Sequence, residues 1–199
     1  MANKMFTPIW VCGLCLSLSV LVCAAPAKEK RAVSCPYIVP RSGWGARAPK
    51  SVTYLTNQPV QYAFIHHSES PADCMTRERC AAAVRSFQNY HMDTRGWSDV
   101  GYSFLIGGEG TVFEGRGWDR VGAHTGGYNS VGLGFCFIGN FGSQSPTAVQ
   151  LDAAKQLITC GVSKGKIRSD YTVRGHRDMG STSCPGDTLY NIIRGWSHY

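Results

Sequence analysis

Residues 60–67 have the sequence VQYAFIHH, and this segment determines what fold and what kind of site to expect from the chain. Its first positions alternate between apolar and polar side chains, and residues 63–65 then form an apolar run. Alternation that passes into an apolar run predicts a β-strand entering a hydrophobic core. Because the run ends in His66 and His67, we expect this strand to end at a functional site.

Helices and strands alternate on either side of this segment. Apolar residues at roughly helical spacing predict a helix over residues 76–92, with Thr76 as its N-cap. Downstream, the patterns predict a hairpin, a buried central strand, a second helix that starts at a cap and a proline, a short strand and a final helix, at residues 103–114, 131–138, 145 to 161 or 165, 171–174 and 185–196. This order indicates an α/β fold, with a mixed central β-sheet flanked by about three α-helices.

Length and composition point to one secreted domain. The chain has 199 residues, of which 43% are hydrophobic, enough for a single core. Residues 1–24 carry one charge, Lys4, and an apolar run over residues 9–22 before small residues, which is typical of a signal peptide. The alternative is a membrane anchor, but the run is shorter than the about 20 residues that a span requires. We therefore expect a signal peptide over residues 1–24, a flexible lead-in over 25–34, one domain over 35–199 and no membrane span.

The expected mature chain is basic. Removal of the signal peptide leaves 19 basic and 13 acidic residues. A positive net charge suits a polyanionic partner such as a cell wall, although it could equally serve solubility alone. Because no basic run is longer than residues 28–31, we expect no nucleic-acid partner.

Six cysteines remain after the signal peptide, and secretion makes disulfides possible for them. Cys74 and Cys80 can close a short loop. Cys136 lies inside an apolar strand-like run, which favours a buried free thiol. Cys35, Cys160 and Cys184 are then left competing for partners.

Three of the remaining side chains form a plausible zinc-binding set. His66 ends one predicted strand, His176 follows another, and Cys184 comes eight residues later. Two imidazoles and a thiolate leave a fourth position open for water, as catalytic zinc sites require, whereas a structural site would need four ligands. On residue types alone, each histidine could instead be a hydrogen-bonded polar residue at a strand end.

Several ordered motifs add a family resemblance. They are AFIHHS, GWSDVGYSF, EGRGW, GAH, GHR and CPG, which begin at residues 63, 96, 114, 122, 175 and 184. In these motifs the chain closely resembles the animal peptidoglycan recognition proteins, which are similar to phage lysozyme-type amidases. The resemblance runs from about Cys35 to Tyr199.

The resemblance implies roles for five residues of the site. His66, His176 and Cys184 would bind Zn²⁺ at the floor of a surface groove, and Tyr102 and Thr182 would be catalytic. Non-catalytic members often have Ser at the position of Cys184, so the cysteine favours an enzyme. The implied activity is that of a zinc-dependent N-acetylmuramoyl-L-alanine amidase, with the general base left open between Tyr102 and a water chain.

The resemblance also implies a substrate groove and two disulfides. The groove residues are His91, Arg95, Gly96, Trp97, His124 and Asn129. The Gly96–Trp97 pair is similar to that of members that prefer diaminopimelate-type stems of bacterial peptidoglycan. Arg95 or Arg120 could bind the extra carboxylate of such a stem, or both could be solvated surface charges. The implied disulfides are Cys35–Cys160 and Cys74–Cys80.

The function expected from sequence is therefore hydrolysis of the lactyl–L-alanine amide bond of peptidoglycan in innate immunity. Two alternatives remain. One is a receptor that binds peptidoglycan without cutting it, and the other is a cationic protein that kills bacteria directly.

Overall fold

The computed structural model describes residues 35–71 and 73–199. The expected signal peptide over residues 1–24 and the expected flexible lead-in over residues 25–34 lie outside the described residues. Within the part that is described, no helix is both long and apolar enough to cross a membrane.

Six strands form one mixed β-sheet. The strands are β1 (Ile38–Val39), β2 (Val60–His67), β3 (Phe104–Ile106), β4 (Val112–Glu114), β5 (Gly132–Phe137) and β6 (Ile167–Gly175). Their order across the sheet is β1-β4-β3-β5-β2-β6. The β3–β4 hairpin is antiparallel, and every other neighbouring pair is parallel. The predicted mixed sheet is confirmed, and β5 is the fully buried inner strand that its apolar sequence predicts.

Three α-helices flank the sheet in the described residues: α1 (Arg77–Asn89), α2 (Ala148–Ser163) and α3 (Asp187–Ile193). Buried side chains of α2 and α3 pack in one core with β2 and β5 residues such as Ile65 and Phe135. Helix α1 packs in a second core with Leu105 and Cys136. Because neighbouring residues of a strand face opposite sides, the sheet has one core on each face.

The boundaries of four elements differ from the prediction by more than one residue. Helix α1 ends at Asn89, and Tyr90–Thr94 continues it as a wider π-helical turn. The N-cap of α2 is Thr147 rather than Ser145, because the Thr147 hydroxyl accepts a hydrogen bond from the Gln150 N–H at 3.1 Å. Strand β6 is longer than residues 171–174 because it pairs along β2 from Ile167 onward. Helix α3 is shorter than residues 185–196.

Two disulfides stabilise this framework. Cys35 pairs with Cys160 of α2, and Cys74 pairs with Cys80 at the start of α1. This is the same pairing that the family resemblance implies. Cys136 is a buried free thiol, and Cys184 is the other free cysteine of the described residues.

Parallel pairing of β2 with β6 positions the site. Ile65 of β2 lies opposite Gly175 of β6. The residue that follows each of these two is a histidine, so His66 and His176 lie next to each other. The carboxyl ends of parallel strands are a common place for ligand sites in open α/β sheets.

Candidate metal centre

The structure brings together His66, His176 and Cys184, which we call the metal centre. One ligand atom from each residue lies within 4.8 Å of the others. The Cys184 Sγ is 3.7 Å from the His66 Nδ1, and the two imidazole centroids are 4.7 Å apart. His66 is buried, whereas His176 and Cys184 are partly exposed. The set is therefore anchored in the core and open on one side.

The chemistry of these donors fits Zn²⁺. Burial is the main reason that the pKa of His66 lies well below its usual range, so its imidazole is neutral and has a lone pair to offer. Burial also raises the pKa of the Cys184 thiol to about 12, although the His67 N–H, which donates to the sulfur at 3.4 Å, acts in the opposite direction. A metal ion bound by this cysteine would displace the thiol proton.

The loop that carries Cys184 is held by several hydrogen bonds. The Cys184 N–H donates to the Thr182 hydroxyl at 3.2 Å, and the Arg177 N–H donates to the Cys184 carbonyl at 3.0 Å. The Arg177 guanidinium also pairs with Asp187 at 2.7 Å. Thr182 therefore shapes the turn before the cysteine, and its hydroxyl hydrogen is still able to donate elsewhere.

Tyr102 lies next to the metal centre. Its ring centroid is 5.3 Å from that of His66 and 5.8 Å from that of His91. Burial is the main reason that the pKa of Tyr102 lies well above its usual range. The phenol is therefore protonated at neutral pH, which suits a hydrogen-bond donor better than a general base.

A second group of the expected site residues lies on one short stretch, which we call the 91–97 segment. The rings of His91 and Trp97 stack with centroids 4.6 Å apart, and the Arg95 guanidinium lies over Trp97 at 5.4 Å. Burial lowers the pKa of His91 to about 4, and the neutral ring accepts a hydrogen bond from the Gly101 N–H at Nδ1. The segment offers a flat aromatic surface with a cation beside it.

Gly96 lies at the tip of the 91–97 segment with φ of 70°. Apart from its two chain neighbours, a Cβ at this position would meet no heavy atom of the described residues within 4 Å. Glycine is therefore favoured here by backbone conformation, and the space beside it is open. Of the two arginines considered for a carboxylate, Arg95 adjoins this space, whereas Arg120 pairs with Tyr54 in an isolated bridge and lines a small cavity with Asp99.

The remaining expected site residues, His124 and Asn129, lie on one loop next to His66. The His124 ring is buried and 5.1 Å from that of His66, and burial is the main reason that its pKa falls to about 3. The Asn129 Oδ1 accepts hydrogen bonds from the His124 and Thr125 N–H groups at 2.8 and 2.9 Å. That oxygen of Asn129 shapes the 124–129 loop.

Comparison with known proteins identifies the family of this chain. The family model described as N-acetylmuramoyl-L-alanine amidase matches residues 56–187, a span that includes the whole metal centre. Peptidoglycan-recognition protein SC2 of Drosophila melanogaster is 44% identical over 92% of this chain and 95% of its own length. The chain belongs to the peptidoglycan recognition protein family.

Two further relatives of this family extend the comparison. The N-acetylmuramoyl-L-alanine amidase of Homo sapiens is 44% identical over 84% of this chain and 29% of its own length. The solved structure of peptidoglycan recognition protein-LE, in complex with tracheal cytotoxin, has a TM-score of 0.79 and 40% identity, and the match covers 81% of this chain and 95% of that one.

Thr125 also lies in this site, and the sequence did not indicate it. The Thr125 hydroxyl lies 3.2 Å from the His66 Nε2 and 3.0 Å from the His124 Nδ1, so it joins two residues that were expected in different roles. Its position directly after His124 was the only sequence signal.

Proposed function

We propose that the protein is a zinc-dependent N-acetylmuramoyl-L-alanine amidase that hydrolyses the amide bond between the lactyl group and L-alanine of bacterial peptidoglycan. The observation that carries the proposal is the metal centre, where two imidazoles and one free thiol converge within 4.8 Å beside Tyr102. This donor set is that of an open, catalytic zinc site. The human relative named for this activity supports the same assignment.

In this proposal His66, His176 and Cys184 hold Zn²⁺. When bound, zinc supplies a Lewis acid for the amide carbonyl and lowers the pKa of a water molecule toward neutrality. The Tyr102 O–H, protonated at neutral pH, donates a hydrogen bond to the oxyanion that forms at the attacked carbonyl carbon. The Thr182 O–H is a second candidate donor, while its oxygen keeps the turn that carries Cys184.

The 91–97 segment is the proposed binding surface for the stem peptide. Its stacked rings provide an apolar face, and Arg95 provides a positive charge next to the open space at Gly96. A diaminopimelate residue carries a carboxylate that lysine lacks, and an arginine can bind it through charge-assisted hydrogen bonds. The related structure with tracheal cytotoxin, described as a monomeric diaminopimelic acid-type peptidoglycan, supports a preference for such stems.

Secretion and a role in innate immunity complete the proposal. The two disulfides suit an oxidising, extracellular environment. The relatives that carry the recognition-protein name support a role in the response to bacteria.

The decisive experiment measures release of stem peptide from purified diaminopimelate-type peptidoglycan. The protein is assayed with zinc, with a chelator, and with the chelator followed by excess zinc. We expect release that the chelator abolishes and zinc restores, and slower release from lysine-type peptidoglycan. No release under any condition, together with intact binding, would overturn the amidase and favour a receptor.

A further inference from the structure

A buried chain of hydrogen bonds leads from the metal centre to His124. The His66 Nε2 lies 3.2 Å from the Thr125 Oγ1, which in turn lies 3.0 Å from the His124 Nδ1. All three side chains are buried, with His66 and Thr125 each 1% exposed. The two hydrogen bonds from backbone N–H groups to Asn129 fix the loop on which Thr125 and His124 stand.

The last atom of this series of hydrogen bonds, the His124 Nε2, is unpaired within the part of the chain that the structure describes. The His124 Nε2 is buried and has no hydrogen-bond partner among the described residues. The ring is also held in place, since a Cβ at either Gly122 or Gly134 would overlap it. Buried polar atoms of native proteins are nearly always paired, so an unpaired nitrogen on a fixed ring requires an explanation.

The placement of hydrogens along this series of hydrogen bonds decides whether the His124 Nε2 is a donor or an acceptor. The His66 Nδ1 faces the Cys184 sulfur, so it is the nitrogen whose lone pair is available to a metal. In a neutral imidazole the other nitrogen, Nε2, then carries the hydrogen and donates it to the Thr125 oxygen. Thr125 has one hydroxyl hydrogen, and its oxygen has two partners among the described residues, so we assign this hydrogen to the second partner, the His124 Nδ1. With this assignment, the ring hydrogen of His124 is on Nε2.

We propose that Thr125 is a positioning residue that couples the metal centre to the ligand groove, by presenting the His66 Nδ1 to the metal and by making the His124 Nε2 a hydrogen-bond donor. The hydrogen on the His124 Nε2 is then available to an oxygen acceptor that the described residues do not supply. This inference rests on the proposed zinc-dependent function. Partners that orient a metal-binding histidine through its second nitrogen typically change metal affinity by about 10- to 100-fold.

The first test compares Thr125→Val, which has nearly the same shape but no hydroxyl, with Thr125→Ser, which keeps the hydroxyl. Zinc affinity of the purified protein is measured by competition with a chromophoric chelator. We expect Thr125→Val to bind zinc about 10- to 100-fold more weakly and Thr125→Ser to stay within about threefold of the wild type. Equal affinity of wild type and Thr125→Val would overturn the inference.

A second measurement needs no variant and therefore does not depend on whether Thr125→Val folds. The ring nitrogens of the wild-type, zinc-loaded protein are examined by ¹⁵N NMR after labelling of the histidines. We expect the hydrogen of His124 on Nε2, with Nδ1 as an acceptor. A hydrogen on the His124 Nδ1 would overturn the inference.

Both measurements are made without peptidoglycan, so their failure differs from failure of the proposed function. A protein that meets both expectations but never releases stem peptide would refute the amidase and leave the Thr125 coupling standing. A protein that cleaves peptidoglycan but binds zinc equally well with and without the Thr125 hydroxyl would keep the amidase and refute the coupling.

Discussion

The metal centre and the 91–97 segment are built in opposite ways. The metal centre joins residues from distant parts of the chain, with Cys184 and His66 separated by 118 positions. The 91–97 segment is local, because its stacked rings, its cation and its open glycine position follow one another within seven residues. The first depends on the whole sheet, and the second mainly on one turn after α1.

This difference suggests that the two regions have different roles. A centre assembled from several elements can hold donor atoms rigidly, as bond cleavage requires, whereas a local segment can change without disturbing those atoms. We therefore expect changes in the metal centre to affect turnover, and changes in the 91–97 segment to affect binding. The following predictions test how far this separation holds.

The largest effect is expected for Cys184→Ser. Loss of the thiolate donor should lower the rate of stem-peptide release by at least about 1000-fold, more than the loss of a single oxyanion donor. Binding to diaminopimelate-type peptidoglycan should stay within about threefold, because the 91–97 segment is untouched. Both are measured on one preparation by a release assay and a pull-down titration. A parallel loss of binding would show that the two regions are not separable.

Tyr102→Phe should have the next largest effect. Removal of the hydroxyl should lower kcat by about 100-fold with little change in KM, because the donor acts mainly on charge that develops in the transition state. Tyr90→Phe is the matched control, since Tyr90 is an exposed tyrosine next to His91. Steady-state kinetics on a soluble muramyl peptide distinguish the two. An unchanged kcat in Tyr102→Phe would remove this residue from the mechanism.

The pH dependence of stability should reveal the buried state of His91. Its pKa of about 4 in the folded protein lies below the value of 6.5 taken for the unfolded chain. The stability that depends on neutral His91 is therefore present above pH 6.5 and is lost as the pH falls toward 4. We expect the advantage of wild type over His91→Asn in unfolding free energy to shrink by about 2 kcal/mol between pH 7 and pH 4, after allowance for solvent screening.

Denaturant unfolding at several pH values, with the disulfides intact, measures this difference. Asn can still accept the hydrogen bond from the Gly101 N–H, so the variant removes the titration more than the contact. A constant difference across the pH range would mean that His91 is not protected in the folded protein.

The smallest effect is expected for Arg95→Ala. Affinity for diaminopimelate-type stems should fall by about 10-fold, the worth of one charge-assisted hydrogen bond, while affinity for lysine-type stems changes little. Lys155→Ala is a matched control, because Lys155 lies over Trp196 at the same distance of 5.4 Å as Arg95 over Trp97. Equal losses for both kinds of stem would remove Arg95 from stem discrimination.

Much of the fold was predictable because its signals are local. Thr76 caps α1, and its hydroxyl accepts the Arg79 N–H at 3.3 Å as the sequence predicts. The apolar run around Cys136 became the buried inner strand β5. Boundaries that depend on pairing were less accessible, as for β6, whose first half has few apolar residues and forms a strand because β2 lies beside it.

The site shows the same contrast. Residue types and family motifs pointed to the residues of the metal centre and of the 91–97 segment. Thr125 could not be recognised from its sequence context, because a threonine in a glycine-rich loop is ordinary and its importance comes from two contacts. One of those contacts spans 59 positions.

By itself the sequence determined the α/β class, the alternation of helices and strands, and a zinc-type set of donors, because periodicity and residue chemistry are properties of short segments. Only the tertiary structure decided that Ile65 and Gly175 are paired, so that His66 and His176 emerge together, and that Thr125 joins His66 to His124. The physical reason is that hydrogen bonds and metal coordination depend on distances of a few ångströms, which spacing along the chain does not specify.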